Sequence, residues 1–146
     1  MKRRAFLLSA ASILSLCAPV YAEPIRAIMY KDPHCPCCAR YANYLRSNGF
    51  KVDIVPTAEF AEIGRKAGVP KDLEGCHTVF VGDYLVSGHV PIQFVRRILD
   101  ERPQIAGITL RGMPAGSPGM DGEKTETFTI FAFTKDGKKP TVYATV

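Results

Sequence analysis

The sequence predicts a mixed α/β domain, and three observations carry that expectation. Short apolar or alternating segments, such as Ile25 to Tyr30 and Phe50 to Val55, interleave with segments of helical period. Gly49, Gly68, Pro91 and Pro103 punctuate the boundaries where helices would start or stop. Gly82-Asp83 and Asp136-Gly137 sit between apolar stretches, as the turns of two hairpins would.

Ile25 to Tyr30 reads as the first strand, with a cysteine-rich loop at its end. Ala39 to Asn48 has helical spacing, with Tyr41 and Leu45 on one face and Gly49 as the stop. Phe50 to Val55 alternates as a second strand. Thr57 is expected to cap a second helix that puts Phe60, Ile63 and Ala67 on one side and ends at Gly68. Thr78 to Val81 and Tyr84 to Ser87 form a hairpin about Gly82-Asp83. Pro91 suits the first turn of a third helix, Ile92 to Glu101, closed by Pro103. A Gly-, Pro- and Met-rich loop runs from Gly112 to Gly122, and Thr127 to Thr134 with Pro140 to Thr145 make a last hairpin. No internal repeat or low-complexity tract interrupts this order.

The order β-α-β-α-β-β-α is that of a thioredoxin-like fold, with the C-terminal β-hairpin as an addition. Its first βαβ unit is expected to be parallel and right-handed, with the third strand antiparallel to the first. The ends of strands one and four and the start of strand three then share one pole. Those points carry Cys35, Cys37 and Cys38, then His89, then Cys76-His77.

Residues 1–22 read as an export signal. Lys2-Arg3-Arg4 is a cationic head, and Ala5 to Val20 is an apolar run too short for a comfortable bilayer span. Val20-Tyr21-Ala22 places small residues before a cut, so the mature chain would begin at Glu23 and hold 124 residues as a single domain. Arg3-Arg4-Ala5-Phe6-Leu7 is similar to a twin-arginine pattern, while the apolar run also suits ordinary secretion. Leu14-Ser15-Leu16-Cys17 approximates a lipoprotein box, but Leu16 is bulky where a small residue belongs. Soluble export to the periplasm is the expectation. Without Lys2, Arg3 and Arg4 the formal charge falls from +5 to +2, which gives no reason to expect nucleic acid as a partner. No second apolar run of 18 or more residues follows, so the mature chain is not expected to span a membrane.

His34-Cys35-Pro36-Cys37-Cys38 puts three cysteines in four residues. A thiolate is both a nucleophile and a soft metal ligand, so the cluster points to redox chemistry or to a soft metal. A structural disulfide between Cys37 and Cys38 is disfavoured. Adjacent Cα atoms lie ~3.8 Å apart, below the ~4.4 Å lower end for ordinary disulfides. Amides at a helix N-terminus stabilise an anion by ~0.3–1 kcal/mol, whereas one pKa unit costs about 1.4 kcal/mol. The dipole therefore cannot keep three neighbouring thiols ionised, but a bound cation can. Cys37 thus favours a metal over a simple dithiol. Thioredoxin-type enzymes carry a cis proline just before strand three, and here that place falls near Cys76.

Other residues keep two readings. His34 ligates or only tunes the cluster, and His77 is structural, exposed or a ligand. His89 either joins the metal or hydrogen-bonds a loop. Met113 and Met120 have no periodic packing explanation and are either thioether ligands or apolar anchors. A thiol–disulfide oxidoreductase in which Cys35 attacks and Cys38 resolves is the alternative function. Zinc or an iron–sulfur cluster is a third option for four thiolates, although it leaves the methionines without a purpose.

From Tyr30 to Gly122 the chain resembles the CopG-like family of copper-resistance proteins, exported and metal-binding. The resemblance rests on Tyr30-Lys31, Cys35-Pro36-Cys37-Cys38, Leu45 to Gly49, Cys76-His77-Thr78, Gly88-His89-Val90-Pro91, and Gly112-Met113-Pro114 through Gly119-Met120. It implies a thioredoxin-like fold that holds several copper ions, as Cu(I), through bridging cysteines, with a role in Cu(I)/Cu(II) conversion. By position, Cys35, Cys37, Cys38 and Cys76 would be the sulfur ligands, and His89, Met113 and Met120 further contributors. Copper ions and other periplasmic copper-handling proteins are the expected partners.

Overall fold

A computed structural model describes residues 23–146 of the chain; the predicted export signal lies outside the described residues. The elements are β1 (Ile25–Lys31), α1 (Pro36–Ser47), β2 (Phe50–Pro56), α2 (Phe60–Lys66), a 3-10 turn (Lys71–Leu73), β3 (His77–Val81), β4 (Tyr84–Gly88), α3 (Ile92–Glu101), β5 (Gly107–Leu110), β6 (Thr129–Phe133) and β7 (Thr141–Thr145). They build one seven-stranded mixed sheet in the order β2-β1-β3-β4-β5-β6-β7. β1 runs parallel to β2 and antiparallel to β3, and β3 is antiparallel to β4. Up to α3 the regular elements follow the predicted β-α-β-α-β-β-α order.

Periodicity explains which faces are buried. α1 turns Cys38, Tyr41, Ala42 and Leu45 inward, a single stripe of helical spacing, and α3 buries Phe94, Val95 and Ile98. Both helices pack with Ala27, Met29, Val79, Val81 and Val86 of the central strands in one apolar core. Full burial of such side chains stabilises the fold by roughly 1.5–3 kcal/mol each. α2 packs on the opposite face of the sheet, where the Thr78 hydroxyl donates to the Phe60 carbonyl at 3.3 Å.

Three details differ from the sequence expectation. α1 starts at Pro36 rather than Ala39, because proline at the first helical position already has a helical φ and needs no amide partner. This brings Cys37 and Cys38 into the helix itself. Thr57 does not cap α2; Glu59 is the N-cap, and the Thr57 hydroxyl instead accepts the Glu59 N–H at 3.2 Å. Finally, β5 is an additional strand, four residues long and headed by glycine, too short to show a period. It pairs parallel to β4 and antiparallel to β6, so the last hairpin continues the main sheet.

Gly88 ends β4 at φ 73°, and a Cβ there would strike the Leu110 carbonyl oxygen; Gly137 has φ 70° with nothing within 4 Å of such a Cβ. Gly137→Ala should cost only the left-handed backbone term, ~1–2 kcal/mol. Gly88→Ala adds a steric term and should cost about 2–5 kcal/mol in all. Urea unfolding of the metal-free variants measures both. Equal losses would show that the Leu110 approach does not constrain the strand end.

Candidate metal centre

The loop between β1 and α1 is folded by its own polar groups. Lys31 is buried at the end of β1, and its Nζ donates to the carbonyls of Asp32 (2.6 Å) and Pro33 (3.4 Å). The Asp32 carboxylate accepts the His34 N–H at 2.8 Å, and the Asp32 carbonyl accepts the Cys35 N–H at 3.1 Å. Cys35 is thereby delivered in an extended conformation as the N-cap of α1. Cys37 and Cys38 follow in the first turn.

Cys76 comes from a remote segment, immediately before β3. The Lys31–His77 pairing of antiparallel β1 and β3 brings it to the start of α1. The sulfurs of Cys35 and Cys37 are 3.0 Å apart, Cys37 and Cys76 3.8 Å, and Cys38 and Cys76 3.2 Å. All four sulfurs lie within 4.8 Å of one another, and all four cysteines are free. Cys38 is buried; the others are half-buried. A tetrahedral ion with ~2.3 Å bonds to sulfur separates its ligands by ~3.8 Å, so the cluster is of the size a soft metal needs.

Ionisation is uneven across the cluster. Burial pushes the Cys35 thiol up, but the Cys38 and Cys37 thiols directed at it outweigh this and lower it below the ordinary value. Cys37 is pushed up to about 11 by burial and by its contact with Cys35. Cys38 is raised strongly, first by its contact with Cys76 and then by burial. Without a cation, the group favours one thiolate beside protonated neighbours. Metal coordination deprotonates thiols outright and removes that conflict.

Two histidines adjoin the sulfurs. His77, fully buried, sets Nε2 2.9 Å from the Gly88 carbonyl and Nδ1 3.4 Å from the Cys76 sulfur. His89, also fully buried, sets Nδ1 2.6 Å from the Pro118 carbonyl and Nε2 3.2 Å from the same sulfur. A carbonyl only accepts, so the proton sits on Nε2 of His77 and on Nδ1 of His89. Each ring therefore turns its bare nitrogen toward Cys76. Burial, and then the neighbouring His89, lowers His77 to about 3, while burial also lowers His89. Tyr41 braces both rings, stacked on His77 at 4.8 Å and edge-on to His89 at 5.3 Å, with its hydroxyl donating to the Val90 carbonyl at 2.8 Å.

The Gly112–Gly122 loop lies over this end of α1. Gly119 packs so closely that a Cβ would come 2.8 Å from the Tyr41 nitrogen and 3.2 Å from the Cys37 carbonyl. Arg40 fastens it, donating from Nε to the Gly119 carbonyl at 2.8 Å and pairing with Asp121 at 3.2 Å.

Of the predicted site residues, the structure brings together Cys35, Cys37, Cys38, Cys76 and His89. Met120 is partly buried, one residue beyond the Gly119 contact. Met113 stands at the start of the loop with φ 46° and 39% exposure. His34 is exposed and lies outside both donor groups. Sequence reasoning treated Tyr41 only as a helix-face residue and passed over Arg40 and the buried Lys31. Tyr41 and Arg40 act through long-range contacts that no local pattern records, and Lys31 acts through its burial and the loop carbonyls that follow it.

A family model described as a protein of unknown function, DUF411, matches residues 73–120, which include Cys76, both buried histidines and both loop methionines. No curated protein matches the sequence. Among solved structures, a copper resistance protein copG in its form 2 superimposes with a TM-score of 0.77 at 33% identity, covering 85% of this chain and 99% of that one. Form 1 gives a TM-score of 0.76 at 33% identity, covering 85% and 98%.

The fold accepts His77 as the neutral ring, with a pKa of about 3 against 6.5 in an ordinary setting. Its contribution to stability is therefore complete above pH 6.5 and is lost progressively as pH falls toward 3. Between pH 7 and pH 5 the metal-free protein should lose up to about 2 kcal/mol through this group. His77→Gln should flatten that dependence, leaving the smaller share of His89. Urea midpoints at the two pH values measure it, and equal slopes would contradict the assignment.

Proposed function

This chain belongs to the CopG-like copper-resistance family, and from that premise we propose that it is a periplasmic copper-binding protein of copper tolerance. Residues 1–22 direct export, and residues 23–146 act as a single metal-binding domain. Cys35, Cys37, Cys38 and Cys76 hold copper as Cu(I) through bridging thiolates, with more than one ion in the cluster. The observation that carries the reading is the four-sulfur group itself. Two segments 38 residues apart place their thiols in one half-buried group, with all sulfurs within 4.8 Å. Soft thiolates select Cu(I) over hard cations, and partial burial keeps the ion from adventitious ligands. His89 completes the ligand set, and Met113 and Met120 supply thioethers when the loop closes on the loaded site. Copper is the cargo, exchanged with other periplasmic copper-handling proteins, and the same ligands permit Cu(I)/Cu(II) interconversion. Among the described residues, no helix is long and apolar enough to cross a membrane.

A second reading has its own observation. Cys35 ionises more readily than an ordinary thiol, whereas Cys38 is held protonated. That is the asymmetry of an attacking and a resolving thiol in disulfide exchange. Cys37 separates the two readings, because a dithiol enzyme does not need it and a bridged cluster does.

Protein purified without oxygen and supplied with Cu(I) should bind more than one copper per chain, with its free thiols protected in proportion. Cys37→Ser should lower both copper stoichiometry and copper–copper scattering in X-ray absorption. Less than one copper per chain with intact thiols would sink the copper reading. Reduction of a model disulfide by the metal-free form, at a rate kept by Cys37→Ser, would instead support the oxidoreductase.

A further inference from the structure

The two edges of the sheet, β2 and β7, are finished differently. β2 carries Lys51 and Asp53 and ends on Pro56, residue types with which natural edges discourage added strands. β7 reads Thr141-Val142-Tyr143-Ala144-Thr145, with no charge and no proline, and its Val142 is 59% exposed. Its ladder with β6 has one irregularity, between Ile130 and Phe131, and is regular from there to the end. Phe128 and Val146 exchange both backbone hydrogen bonds, at 2.7 and 3.0 Å, and Thr129 faces Thr145 in the next pair. Bonded and non-bonded pairs alternate along an antiparallel ladder, so the N–H and C=O of Thr145 point outward. Among the described residues, no strand takes them up.

Cations gather where this edge begins. β5 runs parallel to β4 and β6 returns antiparallel to both, so the turn after β6 stands at the end of the sheet away from Gly88. A groove of about 330 Å³ lies beside that turn, lined by Arg65, Lys135, Lys138 and Lys139. Pro140 also lines it and joins it directly to β7. Arg65 is paired with Glu74, and Lys138 with Asp136. Lys135 and Lys139 are exposed and, among the described residues, have no carboxylate partner. An unguarded edge offers main-chain hydrogen bonds to any extended segment, and the charges beside it select among segments. A second copy of this chain is the poorer fit, because its β7 brings no carboxylate side chain to the two lysines.

We propose that β7 is a docking edge for an extended, acidic segment of a partner protein. The segment adds to the sheet as one more strand and sets its carboxylates against Lys135 and Lys139. β4, β5 and β6 separate this edge from β3, so a docked partner leaves the four-sulfur group open. The inference goes beyond the copper reading and does not depend on it.

The test uses the chain from Glu23 with its thiols kept reduced. The probe is a short synthetic peptide of valine and threonine, flanked at both ends by glutamates. In 15N spectra of the chain, the peptide should shift the amides of Lys135, Lys139 and Thr145. Solvent exchange of the Thr145 N–H should slow by about 10-fold or more, because that donor gains an acceptor. A peptide with lysines in place of the glutamates should bind about 10-fold more weakly. Lys135→Glu combined with Lys139→Glu should reverse that preference. Thr145→Pro removes the outward donor and spares the ladder with β6, so it should keep the fold and abolish binding. Unmoved β7 amides at millimolar peptide, or equal binding of the two peptides, would overturn the proposal. Self-association of the chain through β7 in place of peptide binding would overturn it too, as would binding retained by a folded Thr145→Pro variant. Should that variant not fold, an unchanged preference in the double lysine variant overturns the proposal by itself.

Discussion

The antiparallel placement of β3 between β1 and β4 is the constraint on which the site depends. Pairing of Lys31 with His77 puts Cys76 just past the end of β1, where the chain turns into α1. Pairing of Thr78 with Ser87 puts Gly88 and His89 alongside the same point. A slip of one residue would reverse the facing of every side chain on β3. Cys76 and His77 would then exchange directions, and neither donor group would form. The ladder is held by burial on both faces, with α1 and α3 on one side and α2 on the other.

Within that frame, the polar groups of the site are all assigned. Carbonyls of Gly88 and Pro118 take one proton from each imidazole and leave the other nitrogen bare. Tyr41 packs against both rings and ties α1 to the segment after His89 through Val90. Arg40 and the close approach of Gly119 hold the methionine loop on the same helix turn. Burial raises Cys37, contact with Cys76 and then burial raise Cys38, and burial lowers both histidines, so in the metal-free site Cys37 and Cys38 keep their protons while the ring nitrogens facing Cys76 stay bare. A soft cation displaces the thiol protons without having to displace any from those nitrogens.

Much of this was legible from residue types and spacing. Apolar periods located α3 to the residue, because Pro91 and Pro103 bracket a clean amphipathic run. Helical period marks α1 only from Ala39, because the cysteines carry little helical signal, but the CxxC run reads as the first turn of a helix, and Pro36 opens that turn. β5 was missed because four residues beginning with glycine display no period. Its existence depends on β4 and β6 offering hydrogen bonds on either side. At the site, sulfur and imidazole were visible as ligand types, whereas Tyr41, Arg40 and Lys31 had bland local readings and act only through partners distant in the chain or in the loop fold.

The sequence by itself determined the chemistry on offer: four thiols, three imidazoles and two loop methionines after residue 22, in an order that points three separated segments to one pole. Side-chain identity and element period are local properties, and they can be read without a partner. Only the tertiary structure decided that His77 and His89 turn bare nitrogens to the same sulfur while His34 stays outside. That outcome rests on which backbone carbonyl each ring meets. Those carbonyls belong to Gly88 and Pro118, whose positions follow from strand register and from a loop docked far along the chain.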